Sequence, residues 1–423
     1  MILLLPCLFL LLAMGLPIAA CLGLSALTMI LSLGTPLVVV AQRLTASLDS
    51  FTLIAVPLFI LAGNIMAVGG IARRLVRLSV SLVGWMPGGL AAANVLASMI
   101  FGGISGSASA DLAAIGSIMI PAMRRAKYDE GYSAALTCAA STLGIMVPPS
   151  IPMILLSAAT GTSLVGLFLG SYIPALIIAL ALVTAAVTRG LVTGEGDRAP
   201  FSFREVGRAF VDGVWALLAP VVIVGSILSG IFSPTEAASL GVVYVTLISC
   251  IVYREMTARQ LWRTIVSSMA TTGVIALILA CAGLFAFVLT SAQVPQTLVA
   301  ALTAFSESPW CYLLIINACL LFIGMFLEPP AAIITLSPIL LPVALKLGIN
   351  PVHFGLMIVI NLAIGLIMPP IGINLFVARA ISGIQVHRIS VSVLPLIALM
   401  LVMLVVIVAF PQLSLWLPEL VKR

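Results

Sequence analysis

Apolar residues fill this chain in long unbroken runs, not in the short alternations of a soluble helix or strand. Stretches at 1–33, 51–68, 163–188, 214–232, 235–252, 264–290 and 391–417 are long enough to cross a hydrocarbon layer. With the apolar segments between them they predict roughly ten or eleven spanning helices plus two broken segments. The first run lacks a basic leader and stays apolar past residue 20, so it reads as a retained helix and not a cleaved signal.

Breaks in the pattern carry the next layer of information. Gly103, Pro121, Gly144 and the pair Pro148-Pro149 recur as Gly324, Pro342, Gly365 and Pro369-Pro370, at a constant offset of 221 residues. Glycine and proline interrupt helices, so a shared spacing of them implies a shared backbone shape. A duplicated unit of interrupted apolar helices is the pattern of a secondary transporter. The predicted fold class is therefore an all-α polytopic membrane protein with two hairpins and two Pro-Pro-broken helices. Residues 1–188 form the first half, with a hairpin over 79–121 and a broken helix over 133–158. Residues 214–423 form the second, with a hairpin over 310–345, a broken helix over 351–376 and a C-terminal helix. The polar stretch 189–213 between them is too short for a core of its own and reads as a cytoplasmic linker plus a surface helix.

Composition strengthens the membrane assignment. The chain is 62% hydrophobic and 8% charged, with mean hydropathy +1.31, too few charges to cover a soluble domain of 423 residues. The net charge of +6 comes from short basic clusters between apolar runs, among them Arg73, Arg74 and Arg77, then Arg124, Arg125 and Lys127. Such clusters mark cytoplasmic loops and headgroup contact, not nucleic-acid binding. Lys422 and Arg423 fit that scheme less well. Seven scattered cysteines without a CxxC pair and two histidines argue against a zinc or redox site. With no nucleophile–base constellation, the sequence does not read as an enzyme.

Charge placement also orients the halves. Basic clusters flank 79–121, so that segment enters and leaves from the cytoplasmic side, as two spans or as a re-entrant hairpin. Its small polar centre, GGISGSASAD, suits a hairpin tip buried in protein. Segment 310–345 is bordered by Glu307 and Lys346 without a basic cluster, which suggests the outer face and an inverted repeat.

Each proline deletes an N–H that would have met the carbonyl four residues back. Pro148 and Pro149 free the carbonyls of Gly144 and Ile145; Pro369 and Pro370 free those of Gly365 and Leu366. Freed carbonyls at a half-helix C-terminus suit a hard cation such as Na⁺, and the new half-helices near Ser150 and Gly372 offer free N–H groups to an anion. Ser105 and Ser107 add hydroxyls at the first tip. Asp111 either complements the dipole of the returning half-helix or ligates directly, and Glu328 stands in the matching tip. Asn361 and Asn374 flank the second break, as ion ligands or as partners for freed backbone. Glu236 follows Ser233 at capping-box spacing.

The stretches FGGISGSASADLAAIGSIMIPAM, PPSIPM, FSPTEAASLGVVY, PVHFGLMIVINLAIGLIMPPIGINLF and the opening GLPIAACLGLSAL resemble the large membrane subunit of tripartite ATP-independent periplasmic (TRAP) transporters, in order and over essentially the whole chain. The resemblance implies an elevator-type carrier of the ion-transporter superfamily in the bacterial inner membrane, driven by a Na⁺ gradient, with no covalently bound cofactor. It further implies a small four-helix membrane partner and a periplasmic binding protein that delivers an organic acid. Ser105, Gly106, Ser107, Ser150 and Glu328 are then expected to face substrate. Gly103, Thr142, Gly144 and Ile145 at the first break, and Gly324, Asn361, Gly365, Leu366 and Asn374 at the second, are the expected Na⁺ set. Two departures stand out: Met368 replaces a usual Thr, and Glu328 a usual Asp. A stand-alone Na⁺/dicarboxylate carrier of the same superfamily is the alternative, and a channel a more distant one.

Overall fold

Helices account for all the regular structure among the residues described by the computed structural model, namely 4–49, 51–196, 200–293 and 309–421. Glu307, Lys422 and Arg423 lie outside them. Among the described residues, six helices are long and apolar enough to cross a membrane, or eight if each of two bent pairs counts as one span. Several of the apolar runs are cut into shorter helices. The opening run divides at Gly15 and Pro17 into Leu4–Ala13 and Ile18–Ser32. The run at 51–68 continues as Ala55–Val68 into Ile71–Val83 through a 67° bend at Gly69-Gly70.

Each of the four segments expected as a hairpin or a break consists of a pair of helices. The first hairpin is Gly89–Ser105 and Ala108–Arg125, joined at Gly106-Ser107. It starts ten residues later than 79–121 because the cluster Arg73, Arg74 and Arg77 occupies a helix of its own. The first broken helix is Glu130–Met146 and Ile151–Thr160, bent by 42°. The second hairpin is Pro309–Gly324 and Pro329–Lys346, and the second broken helix Pro351–Gly365 and Ile373–Ser382. Pro121 and Pro342 sit at matching places inside the two returning helices, and the Pro148-Pro149 and Pro369-Pro370 bonds are both cis.

The two units interlock. Ile151–Thr160 of the first packs on Pro329–Lys346 of the second, while Ile373–Ser382 of the second packs on Ala108–Arg125 of the first. Within each unit the broken helix crosses the outgoing hairpin helix at a pair of glycines. A Cβ on Gly102 would stand 2.5 Å from the Gly144 Cα, and one on Gly365 would stand 2.8 Å from the Gly324 Cα. Hydrogen side chains alone permit that approach. Residues 131–156 and 353–367 are buried throughout, so the first break lies at the centre of the molecule, while the second emerges from it at Pro370 and Ile371.

Longer helices surround this centre: Leu164–Thr193, Phe203–Leu228, Pro234–Val252, Ala258–Ser291 and Val386–Ala409. They leave large apolar side chains outward, such as Val211 at 70% and Val221 at 63% exposure, as a lipid-facing surface requires. The stretch 189–213 is helical at both ends. Its two ends are the last turn of Leu164–Thr193 and the first turns of Phe203–Leu228. The expected capping box forms, with the Ser233 N–H donating to the Glu236 carboxylate at 2.7 Å.

Basic segments are drawn together by acids. Arg74 donates to Asp212 at 3.2 Å and Glu255 at 2.7 Å and stacks on the Tyr253 ring; Arg77 meets Glu205 at 2.8 Å. Arg388 meets Asp129 and Arg124 meets Glu130, tying the C-terminal span to the loop between first hairpin and first break. Exposed pairs of this kind add at most about 1 kcal/mol each, so they fix register more than stability.

Candidate functional site

Hairpin tips and breaks converge on one cavity of about 380 Å³. The first tip contributes Ser105 through Ala110 and the second Glu328, Pro329 and Pro330. The first break contributes Ile145, Ile151 and Pro152, and the second Leu366, Ile373 and Asn374. The volume suits a small organic molecule.

At the first tip Gly106 takes the left-handed conformation, φ 62°, which ends the outgoing helix, and Ser107 caps the returning one by accepting from the Ala110 N–H at 3.4 Å. The Ser107 and Ser109 hydroxyls lie 3.2 Å apart and Ser105 is 2% exposed. The Ile151 N–H donates to the Gly106 carbonyl at 3.4 Å, so tip and break are joined through peptide groups.

Ser150 does not face the cavity. It is fully buried, donates to the Ile145 carbonyl at 2.6 Å and accepts from the Met153 N–H at 3.5 Å. The hydroxyl thus meets one of the carbonyls that the prolines free, and caps the new half-helix at the same time. Ser150 is expected to face substrate, but here its hydroxyl is engaged by the backbone: a buried free carbonyl is a strong claimant for a nearby hydroxyl.

The second break meets its carbonyls from the backbone. Gly365 O accepts from the Met368 N–H and Leu366 O from the Asn374 N–H, both at 3.1 Å. Each carbonyl keeps a second lone pair. Asn361 is turned away from the break, its amide donating to Asn317 Oδ1 at 2.7 Å on the outgoing hairpin helix. It braces the second unit, and its Oδ1 has no hydrogen-bond partner. Asn374 lines the cavity and donates to the Ser141 hydroxyl at 3.1 Å, crossing from the second break to the first broken helix. Gly103, Thr142, Gly144, Gly324 and Gly365 are buried behind the lining.

Asp111 is wholly buried in the first turn of the returning helix, and the Ser98 hydroxyl is the one side chain among the described residues that meets its carboxylate. A Cβ on Gly144 would come 3.4 Å from its Oδ2, so the carboxylate lies directly against the first break. Sequence reasoning missed the opposite side of the cavity, formed by Ile60 and Asn64 of Ala55–Val68 and by Thr271 and Ile275 of Ala258–Ser291. The only signal there was a polar residue at four-residue spacing from an isoleucine on an otherwise apolar helix.

Comparison with known proteins gives the family of the chain. Residues 5–413 match the model of the family described as tripartite ATP-independent periplasmic transporter, DctM component. The chain is 41% identical to the C4-dicarboxylate TRAP transporter large permease protein DctM of Pseudomonas aeruginosa, over 94% of this chain and 93% of that one. It is 40% identical to the isethionate TRAP transporter permease protein DctMQ of Oleidesulfovibrio alaskensis, covering 96% of this chain and 64% of that longer protein. Among solved structures it resembles the Alcanivorax borkumensis YdaH transporter, with a TM-score of 0.63 at 14% identity, over 90% of this chain and 87% of the other. That likeness speaks for the fold.

Proposed function

The chain belongs to the family of DctM components of tripartite ATP-independent periplasmic transporters, a membrane permease family and not an enzyme family, and from that premise we propose that it imports a small organic acid by Na⁺-coupled alternating access. The observation that carries this reading is the meeting of both tips and both breaks at one cavity. The tip hydroxyls and the N–H groups of the half-helices suit a carboxylate or sulfonate. The two units are read as inverted, moving together as an elevator past the longer outer helices, in the bacterial inner membrane. A periplasmic binding protein delivers the acid and a small four-helix subunit completes the permease. The "large permease" in the name of the Pseudomonas relative and the greater length of the DctMQ protein support that division of labour.

The residues present fit Na⁺. A fully buried carboxylate, Asp111, met among the described residues by no cationic side chain and only by the Ser98 hydroxyl, stands beside carbonyls with spare lone pairs as a hard-oxygen set whose charge is otherwise uncompensated. At the first break Asp111, Thr142 and the Gly144 and Ile145 carbonyls would hold the ion. At the second the Gly365 and Leu366 carbonyls and the Asn374 amide oxygen would do so. Bound Na⁺ supplies the charge that lets an anion enter a cavity whose lining has no cationic side chain. Uptake by the reconstituted complex is expected to need an inward Na⁺ gradient. Equal uptake with K⁺ or choline replacing Na⁺ on both sides sinks the proposal.

A further inference from the structure

We propose that Asn64, pinned by Ser268, orients the substrate from the side of the cavity facing the hairpin tips. The inference rests on the transport reading above and names the residue that grips the substrate's far end. The helices Ala55–Val68 and Ala258–Ser291 each present a polar and an apolar residue four positions apart to the cavity, Ile60 with Asn64 and Thr271 with Ile275. Four positions share one helix face, so each helix offers the cavity one hydrogen-bonding group over an apolar step.

Asn64 is not free to turn. Its Nδ2 donates to the Ser268 Oγ at 2.9 Å, and that hydroxyl donates in turn to the Thr264 carbonyl at 2.7 Å. Ser268 is fully buried and its proton is committed, so it can only accept from Asn64. This fixes which end of the amide is nitrogen. The carbonyl oxygen and the second N–H have no other hydrogen bond among the described residues, and the two isoleucines beside them have nothing to offer. A pinned amide with an open donor and acceptor, on a cavity side whose other polar group, Thr271, already donates its hydroxyl to the Ser267 carbonyl, is a preorganised grip for a polar group.

The ligand chemistry follows from the two sides together. Tip hydroxyls and helix N-termini take the acidic head; Asn64 takes a polar group at the other end, a hydroxyl, a keto oxygen or a second acid. The substrate class is a small organic acid with a polar group remote from its acidic head.

The test uses the reconstituted complex with its partner and binding protein. Uptake is measured for a panel of small carboxylates and sulfonates that includes succinate and isethionate. Each is paired with the analogue lacking its distal polar group, butyrate for succinate and ethanesulfonate for isethionate. For the best-transported probe, Asn64→Ala is expected to raise KM about tenfold with Vmax within about twofold, the loss of one substrate hydrogen bond. Inhibition by the truncated analogue should be the same in wild type and Asn64→Ala. Ser268→Ala, which keeps Asn64 but unpins it, is expected to raise KM about threefold. An unchanged KM in both variants overturns the inference, and so does an equal loss of binding for probe and truncated analogue. Wild type that takes up no member of the panel overturns the transport reading itself.

Discussion

The two units share a backbone plan but satisfy it by different means. In the first, serine side chains do the work: Ser107 caps the returning hairpin helix, and Ser150 both caps the new half-helix and meets the Ile145 carbonyl. In the second, Glu328 stands 221 residues after Ser107 and makes no side-chain cap, while Ile371 stands 221 after Ser150 and is 40% exposed. There the peptide N–H of Asn374 meets the Leu366 carbonyl instead. One unit is closed by hydroxyls and enclosed by protein; the other is closed by its own main chain and open on one side. Duplicated shape therefore does not require duplicated chemistry.

The comparison breaks outright if the units are not inverted. Single cysteines at Lys127, two residues past the end of Ala108–Arg125, and at Lys346, the last residue of Pro329–Lys346, are expected to react with impermeant reagents from opposite faces in a cysteine-free background. Lys127→Cys should be labelled from the cytoplasm and Lys346→Cys from outside, all or none. Labelling of both from one face would make the repeat parallel.

A second, smaller effect separates the glycine crossings. Gly102→Ala should gain about 1 kcal/mol of helix propensity, but its Cβ lands 2.5 Å from the Gly144 Cα, where backbone has to move. Overpacking of that kind costs about 1–3 kcal/mol, and uptake is expected to fall more than about tenfold. Gly324→Ala meets Gly365 at 3.2 Å and should keep most of its activity. Equal loss in both would mean that the crossings are equally tight in the membrane.

The smallest expected effect distinguishes the breaks. Ser150→Ala strands a buried carbonyl and an N–H, for a stability loss of about 1–3 kcal/mol seen as a lower Tm, with KM little changed. Ile371→Ala at the matching position should leave Tm nearly unaltered. A raised KM with unchanged Tm in Ser150→Ala would return that serine to the substrate.

Much of this arrangement was legible in the sequence because glycine and proline act locally. The breaks at 148–149 and 369–370, both hairpins and the serine-rich tip follow from residues that dictate backbone shape wherever they stand. Partners across the fold were not legible. Nothing near Asn361 announces Asn317, nothing near Asn64 announces Ser268, and the hydroxyl of Ser150 had two plausible claimants until the Ile145 carbonyl was placed beside it. The cuts within the apolar runs were not legible for a related reason. Apolar composition records that a segment avoids water, but bends at Gly15 and Gly70 decide whether it runs straight enough to cross.

The peptide tie between tip and break has an evolutionary side. Because the Ile151 N–H and Gly106 carbonyl are main-chain groups, mutation cannot easily remove their bond. Lining residues such as Ser109 or Asn64 are then free to drift without loosening the frame that carries them. A lineage built this way can exchange one cargo for another by retouching a few side chains, which fits relatives named for cargoes as unlike as a C4-dicarboxylate and isethionate.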